Sequence, residues 1–277
     1  MGGFNINSSL ITFSKVYRNI TDKIKVGIAG CLGRMGQELV KATTKDKRIK
    51  FVGGYDLKNS KTHSNDIFKK ANVIIDFSSP AAIKGNVSLA LSYKTGLVVG
   101  TTGLNHKETI LLKKASKKIP ILYSSNMSLG VNLLFELVRQ TSLALKDIDY
   151  DIEISETHHR HKKDAPSGTA ISLGEIAAEG RKISFSKNKI LNRTNQHNKR
   201  KIGNIGFAVS RGGEIAGEHT VSFIGDNDRI DLVHKATNRS IFVKGAIEAA
   251  VFLSKQKLGL YSTKDVLNIK PKSKKSA

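Results

Sequence analysis

The sequence predicts an α/β fold: a doubly wound parallel sheet with an inserted α+β unit built on a mixed or antiparallel sheet. Three observations predict it. Short apolar runs rich in β-branched residues alternate with helix-length segments from residue 23 to about residue 146. The first run passes straight into Gly30-Cys31-Leu32-Gly33-Arg34-Met35-Gly36 and then a helical pattern, the strand, glycine turn and helix of a nucleotide-binding unit. From residue 150 the chain changes to polar and apolar residues in alternation, the mark of half-buried strands.

The elements follow in order. Lys23 to Ala29 reads as a buried parallel strand and Gln37 to Ala42 as the helix behind the glycine turn. Backbone without side chains can approach a pyrophosphate at a helix N-terminus, where N–H groups are unpaired. The spacing G-x-x-G-x-x-G differs from the commoner G-x-G-x-x-G, and a tight turn without a ligand is the competing reading. Ile49 to Tyr55 reads as the second strand, with Asp56 at its end to accept from ribose hydroxyls. Arg34, Lys58 and Lys61 can hold a 2′-phosphate, so the residues do not choose between NADH and NADPH. A third strand covers Ala71 to Phe77, and Ser78-Ser79-Pro80 signals a helix over 81–93. Gly96 to Val99 is the fourth strand. Its loop, Gly100-Thr101-Thr102-Gly103-Leu104, leaves the carboxyl end of a parallel strand, where ligands of such sheets bind. A helix over 106–118 and a strand from Pro120, ending in the polar stretch Ser124-Ser125-Asn126-Met127-Ser128, complete a Rossmann-like half.

A long apolar-periodic helix is expected over 129–146, then an alternating strand from Tyr150 to Glu156 that delivers His158 and His159 at its end. Ser167 can cap a helix from Thr169 to Ala178. Residues 181–201, dense in Lys and Arg and lacking acids, read as an exposed loop. Alternating segments follow at Gly206 to Arg211, Glu214 to Ile224 and Asp228 to Ala236. The Ala-rich helix from Phe242 to Leu258 needs a surface to cover, and the first sheet supplies one. The expected organisation is therefore discontinuous. Residues 23–128, completed by 239–268, bind the dinucleotide, and 129–238 bind substrate and form the oligomer. Residues 1–22 and 269–277 are an extension and a basic tail outside the fold.

Composition narrows the function classes. The chain has 277 residues, one cysteine and 39% hydrophobic content. A lone cysteine excludes an internal disulfide and fits a reducing compartment. No apolar run approaches the roughly 18 residues of a membrane span. The net charge of +23 suits either nucleic-acid binding or an enzyme that handles anions. The lysines are spread along the chain, aromatics are 6% and no nucleic-acid-binding signature appears, so no specific nucleic-acid partner is expected.

The chemistry concentrates in Glu156-Thr157-His158-His159-Arg160-His161-Lys162-Lys163-Asp164-Ala165-Pro166-Ser167-Gly168-Thr169-Ala170. Proton donors, fixed positive charge and a helix N-terminus suit an anionic substrate that must be protonated. A metal site of His158, His159, His161 and Asp164 competes, and with it metal-dependent hydrolysis. Adjacent strand histidines face opposite ways, and Lys162 and Lys163 repel a cation. A basic surface turn without chemistry is the third reading.

This stretch closely resembles the signature of the 4-hydroxy-tetrahydrodipicolinate reductase family, formerly dihydrodipicolinate reductase, of the diaminopimelate route to lysine. The glycine turn, Gly100-Thr101-Thr102-Gly103, Asn126-Met127-Ser128 and Gly217-Glu218-His219-Thr220 resemble it in the same order, over roughly residues 23–268. The resemblance implies hydride transfer from NADH or NADPH to a small cyclic dicarboxylate, with loss of water, giving tetrahydrodipicolinate. It implies His158 as proton donor or acceptor, Lys162 as the second proton donor, and His159, Gly168 and Thr169 as the carboxylate grip. It assigns the cofactor to Gly30, Cys31, Leu32, Gly33, Arg34, Met35 and Asp56, to Gly100, Thr101 and Thr102, and to Ser124, Ser125, Asn126 and Met127. It further implies a cytoplasmic homotetramer assembled through the second sheet, while the residues themselves, as above, lead to no metal being expected. One departure touches the cofactor: Leu57 follows Asp56 where many relatives carry Glu followed by Arg.

Overall fold

The computed structural model describes residues 23–57, 62–194 and 198–269. The leader 1–22, the tail from 270 onward, and Lys58 and Lys61 lie outside the described residues. Two sheets organise the chain. The first has six parallel strands: β1 (Ile24–Ala29), β2 (Ile49–Tyr55), β3 (Val73–Asp76), β4 (Gly96–Val99), β5 (Pro120–Tyr123) and β11 (Gly259–Tyr261). Their spatial order is β11-β5-β4-β3-β1-β2, so the direction of winding reverses between β1 and β3. A crevice must open there at the carboxyl ends of the strands.

Burial on both faces explains the continuous apolar runs of these strands. On one face Val26, Ile28, Val98 and Leu122 meet α1 (Arg34–Lys45) and α8 (Ser240–Leu253). On the other, Ile74, Leu97 and Ile121 pack with residues of α3 (Pro80–Tyr93) and α4 (His106–Ala115). The Ala-rich helix thus covers the first sheet. It ends at Leu253 rather than Leu258: the Ser254 N–H closes it by donating to the Ala250 carbonyl, and residues 254–258 turn the chain into β11, which pairs with β5. Arg48 reinforces this long-range closure by bridging Asp46 and Glu248.

The second sheet has the order β10-β9-β6-β8-β7, from β6 (Asp151–His158), β7 (Lys189–Ile190), β8 (Ile205–Arg211), β9 (Gly217–Ile224) and β10 (Arg229–Ala236). It is mixed: β6 pairs parallel with β8 and antiparallel with β9. One face is covered by α5 (Leu129–Ala144) and α6 (Gly168–Arg181), where Leu134, Val138, Leu173 and Ala177 meet Ile152, Ile154 and Phe223. Residues 181–201 are not wholly a loop. They contain α7 (Phe185–Asn188) and β7, and Arg193 and Arg200 tie the segment to Glu153 and Asp151 of β6. Helix α2 (Thr62–Lys70) and the short α9 (Thr263–Val266) were likewise not expected from the sequence. No helix among the described residues is long and apolar enough to cross a membrane.

Candidate active site

Close packing of backbone on backbone dictates the glycine turn. Gly30 has φ +78°, and a Cβ there would lie 2.6 Å from the Phe77 carbonyl oxygen. A Cβ on Gly36 would lie 2.0 Å from the Gly30 carbonyl oxygen. Gly33 caps α1, and no side chain occupies the helix start. The first N–H groups of the helix therefore remain for an anion. Asp56 follows β2 and accepts from the Leu32 N–H at 3.4 Å, fixing the turn beside the place where a ribose would lie. Gly30, Gly33 and Asp56 border one recess with Ser78 and Ser79. The Cys31 thiol is pushed up by burial first and then by the Asp56 charge. These features fit a dinucleotide.

The loops after β3 and β4 are held from behind by Asp76, which is fully buried. Its carboxylate accepts from the Ser78 N–H at 2.9 Å, the Asn86 amide at 2.7 Å and the Thr101 hydroxyl at 3.1 Å. Thr101 therefore braces the loop, while Thr102 faces the cleft. Gly100 sits against the Phe77 ring, where a Cβ would come within 2.3 Å. After β5, the Ser124 hydroxyl donates to the Asn126 carbonyl at 2.7 Å, and Met127 is buried in the core against α8. Ser125 and Asn126 reach the cleft. The Asn126 amide approaches the Thr169 hydroxyl at 3.5 Å, so the two halves of the molecule meet there.

The opposite wall is the histidine stretch. Strand β6 runs two residues further than the alternation suggested and keeps His158 on its buried side. His159, the next residue, leaves the strand: its N–H donates to the Ile215 carbonyl at 2.8 Å, and its ring nitrogen lies 3.5 Å from Arg239. Both rings still border one cleft of about 430 Å³, together with Lys162, Gly168 and Thr169. A Cβ on Gly168 would meet nothing within 4 Å, so the first turn of α6 faces open space. The Ser167 hydroxyl caps that turn by accepting from the Ala170 N–H at 3.2 Å. Lys162 points at Asp164, 2.7 Å away, and this contact holds the Asp164 carboxyl below its ordinary range. His161 pairs with Glu214 on the surface at 3.5 Å, away from the cleft. Among the described residues no group of three or more potential ligands is placed to hold a metal ion.

Behind the cleft lies a set of residues whose roles the sequence did not mark. Glu156 is 2% exposed and accepts from Arg211 at 2.8 and 2.9 Å, from the Ser167 N–H at 2.9 Å and from His158 Nδ1. Burial opposes its charge, but Arg211, His158 and the Ser167 N–H outweigh burial and hold the carboxyl below its usual range. His158 lies below 6.5: burial is the largest cause, Lys162 and Arg211 add to it, and Glu156 works the other way. His219 packs edge-on against His158, with ring centroids 5.0 Å apart, and meets the Ser167 hydroxyl at 3.1 Å. Burial pulls it down to about 4. Arg239 and Phe242 border both this cleft and the one lined by Arg34 and Met35. Arg34 and Met35 at the start of α1 thus lie across Arg239 and Phe242 from the histidine stretch. Gly217-Glu218-His219-Thr220 was a recognisable signal for His219, whereas Arg211 and Arg239 had none beyond their charge.

Both halves of the chain match one known family. The family profile described as dihydrodipicolinate reductase, N-terminus, matches residues 24–127, and its C-terminal counterpart matches residues 130–267. The chain is 44% identical over 250 residues to the 4-hydroxy-tetrahydrodipicolinate reductase of Zymomonas mobilis, covering 89% of this chain and 98% of the relative. It is 44% identical over 255 residues to the enzyme of the same name from a Sulfurovum species, covering 88% and 99%. A dipicolinate-bound dihydrodipicolinate reductase from Paenisporosarcina superposes with a TM-score of 0.71 at 23% identity, over 90% of this chain and all of that one, a likeness of fold.

Proposed function

The chain belongs to the dihydrodipicolinate reductase family, and from that premise we propose that His158 and Lys162 carry its proton transfers while His159, Gly168 and Thr169 hold the substrate. Its reaction is the reduction of 4-hydroxy-tetrahydrodipicolinate to tetrahydrodipicolinate, with loss of water, in the diaminopimelate route to lysine. NADH or NADPH supplies the hydride.

The residues divide the remaining work. A cyclic dicarboxylate places one carboxylate at the N–H groups of Gly168 and Thr169, where the helix start and the Thr169 hydroxyl favour negative charge. Loss of water needs a proton removed from a ring carbon and another given to the departing hydroxyl. His158, neutral at pH 7 because of its burial, is the acceptor of the first. Lys162, in the same cleft, is the donor of the second. After reduction His158 returns its proton to the ring. Lys162 is recharged from solvent, which matches the single proton that the overall reaction consumes.

The turn at Gly30, Cys31, Leu32, Gly33, Arg34 and Met35 takes the pyrophosphate, and Asp56 takes a ribose. Thr102, Ser125 and Asn126 would border the nicotinamide end, with Gly100, Thr101, Ser124 and Met127 shaping the two loops behind them. We read 23–128 with 239–268 as the cofactor unit and 129–238 as the substrate unit. The partners in this reading are the dicarboxylate and further copies of the chain in a cytoplasmic homotetramer, with no specific nucleic acid. Edge strand β10 supports the oligomer, since it leaves Val233 50% and Ile230 39% exposed. Light scattering that returned a monomer would remove that part.

The observation that carries the reading is the convergence of His158, His159, Lys162 and the α6 N-terminus on one cleft, facing Thr102 and Asn126 from the first sheet. The test is loss of reduced-nicotinamide absorbance with enzymatically generated substrate, run with NADH and NADPH in parallel. Oxidation of at least one cofactor is expected, and oxidation of neither would overturn the reading.

A further inference from the structure

We infer that Glu156 is a positioning residue that locks His158 in one tautomer and fixes its proton-transfer nitrogen relative to the carboxylate cradle. The inference rests on the assignment of His158 as the proton-transfer group and extends it to a residue behind the cleft.

An ionised carboxylate offers about four acceptor sites and no donor. At Glu156 all four are taken. Oε1 accepts from the Ser167 N–H at 2.9 Å and from Arg211 Nη2 at 2.8 Å. Oε2 accepts from Arg211 Nη1 at 2.9 Å and meets His158 Nδ1. A backbone amide and a guanidinium can only donate, and they keep the carboxyl ionised. The hydrogen between Oε2 and the imidazole must then belong to Nδ1. In the neutral ring this leaves the lone pair on Nε2, the nitrogen away from the strand's own carboxylate.

The same carboxylate fixes distances as well as protons. Its bond to the Ser167 N–H anchors the residue that caps α6, and with it the turn bearing Gly168 and Thr169. Arg211 also donates to the Asp164 carbonyl at 2.6 Å, which anchors the loop that carries Lys162. One buried ion pair therefore spans the acid, the base and the anion cradle. As a stability device it would be a poor choice. Buried ion pairs are often replaceable by apolar residues without loss, whereas breaking one leaves a buried charge. The pair also lies at the end of β6 beside the cleft, outside the apolar cluster beneath that sheet.

The groups facing His158 are Glu156 on its own strand, Lys162 on the following loop, Arg211 from β8 and His219 from β9. Of these only Glu156 favours the imidazolium. Glu156→Gln keeps the shape but removes the charge and cannot accept four hydrogen bonds. We expect kcat to fall about 100-fold with cofactor KM unchanged. The acid limb of the kcat/KM profile should move to lower pH by roughly one unit, because His158 becomes harder to protonate. A packing role alone would lower kcat and Tm and leave the limb in place, and that result would overturn the inference, as would full activity.

A variant that failed to fold would leave a direct measurement. In 15N spectra of the histidine-labelled wild type, with His158 identified by its loss in His158→Gln, the Nδ1–H tautomer is expected and the Nε2–H tautomer would refute the assignment. A wild type that oxidises neither cofactor sinks the reductase reading instead, while the tautomer still decides the case of Glu156.

Discussion

His158 is subject to two opposed influences, and in its proposed role as a base their balance sets the working pH. Burial, Lys162 and Arg211 disfavour its charged form, Glu156 favours it, and the net result lies below 6.5. A base must be unprotonated to act, so kcat/KM should fall as pH drops through a value below 6.5. His158→Gln should reduce turnover far more than it weakens cofactor binding, because the ring touches the substrate cleft and not the glycine turn. Equal turnover with wild type would remove its assigned role. Lys162→Ala should cost about 100-fold or more in kcat, measured with saturating cofactor. These residues were legible in the sequence because histidine, lysine and a Ser-Gly-Thr helix start fell within a dozen positions. His219 was marked only by its motif, and Arg211 and Arg239 by nothing beyond charge. They arrive from β9, β8 and the start of α8, and an alternating strand full of charges does not reveal which side chains face inward.

Among the elements, α6 shows how a local signal becomes function. Ser167 caps it by accepting from the Ala170 N–H and also meets His219, so one hydroxyl sets both the helix start and its seat against β9. Ser167→Ala should lower stability by about 1 kcal/mol and raise substrate KM more than it lowers kcat. Thermal melts and the KM-against-kcat split test this, and a selective loss of kcat would contradict it. The glycine turn and the parallel strands were legible because apolar runs and turn chemistry are local. Strand β11 is three residues long, too short to display a period. Helix α2 is largely polar, with Ile67 and Phe68 as its buried apolar pair, and it forms because those two find the first sheet's core. The segment from 181 to 201 looked like solvated loop on charge alone. Its arginines have acidic partners on β6, remote in sequence and invisible to local reading.

For the whole molecule, three histidines held below their ordinary value make acid a destabilising condition. His219 is 4% exposed and drops from 6.5 to about 4 on folding. Between those values the unfolded chain binds more protons, so stability is full above about pH 6.5 and is lost as pH falls toward 4. The loss is on the order of 3 kcal/mol from this residue, and His158 and His234 add to it in the same direction. Calorimetry should show Tm declining through this window, before the carboxylates titrate, and a flat Tm would refute the burial of neutral histidines. The closure of the first sheet by α8 and β11 also bears on how the protein is made. A ribosome releases the glycine turn early and the helix that covers its sheet last. The first sheet therefore lacks α8 and β11 until the whole second sheet has been synthesised, so the unit that begins first is completed last.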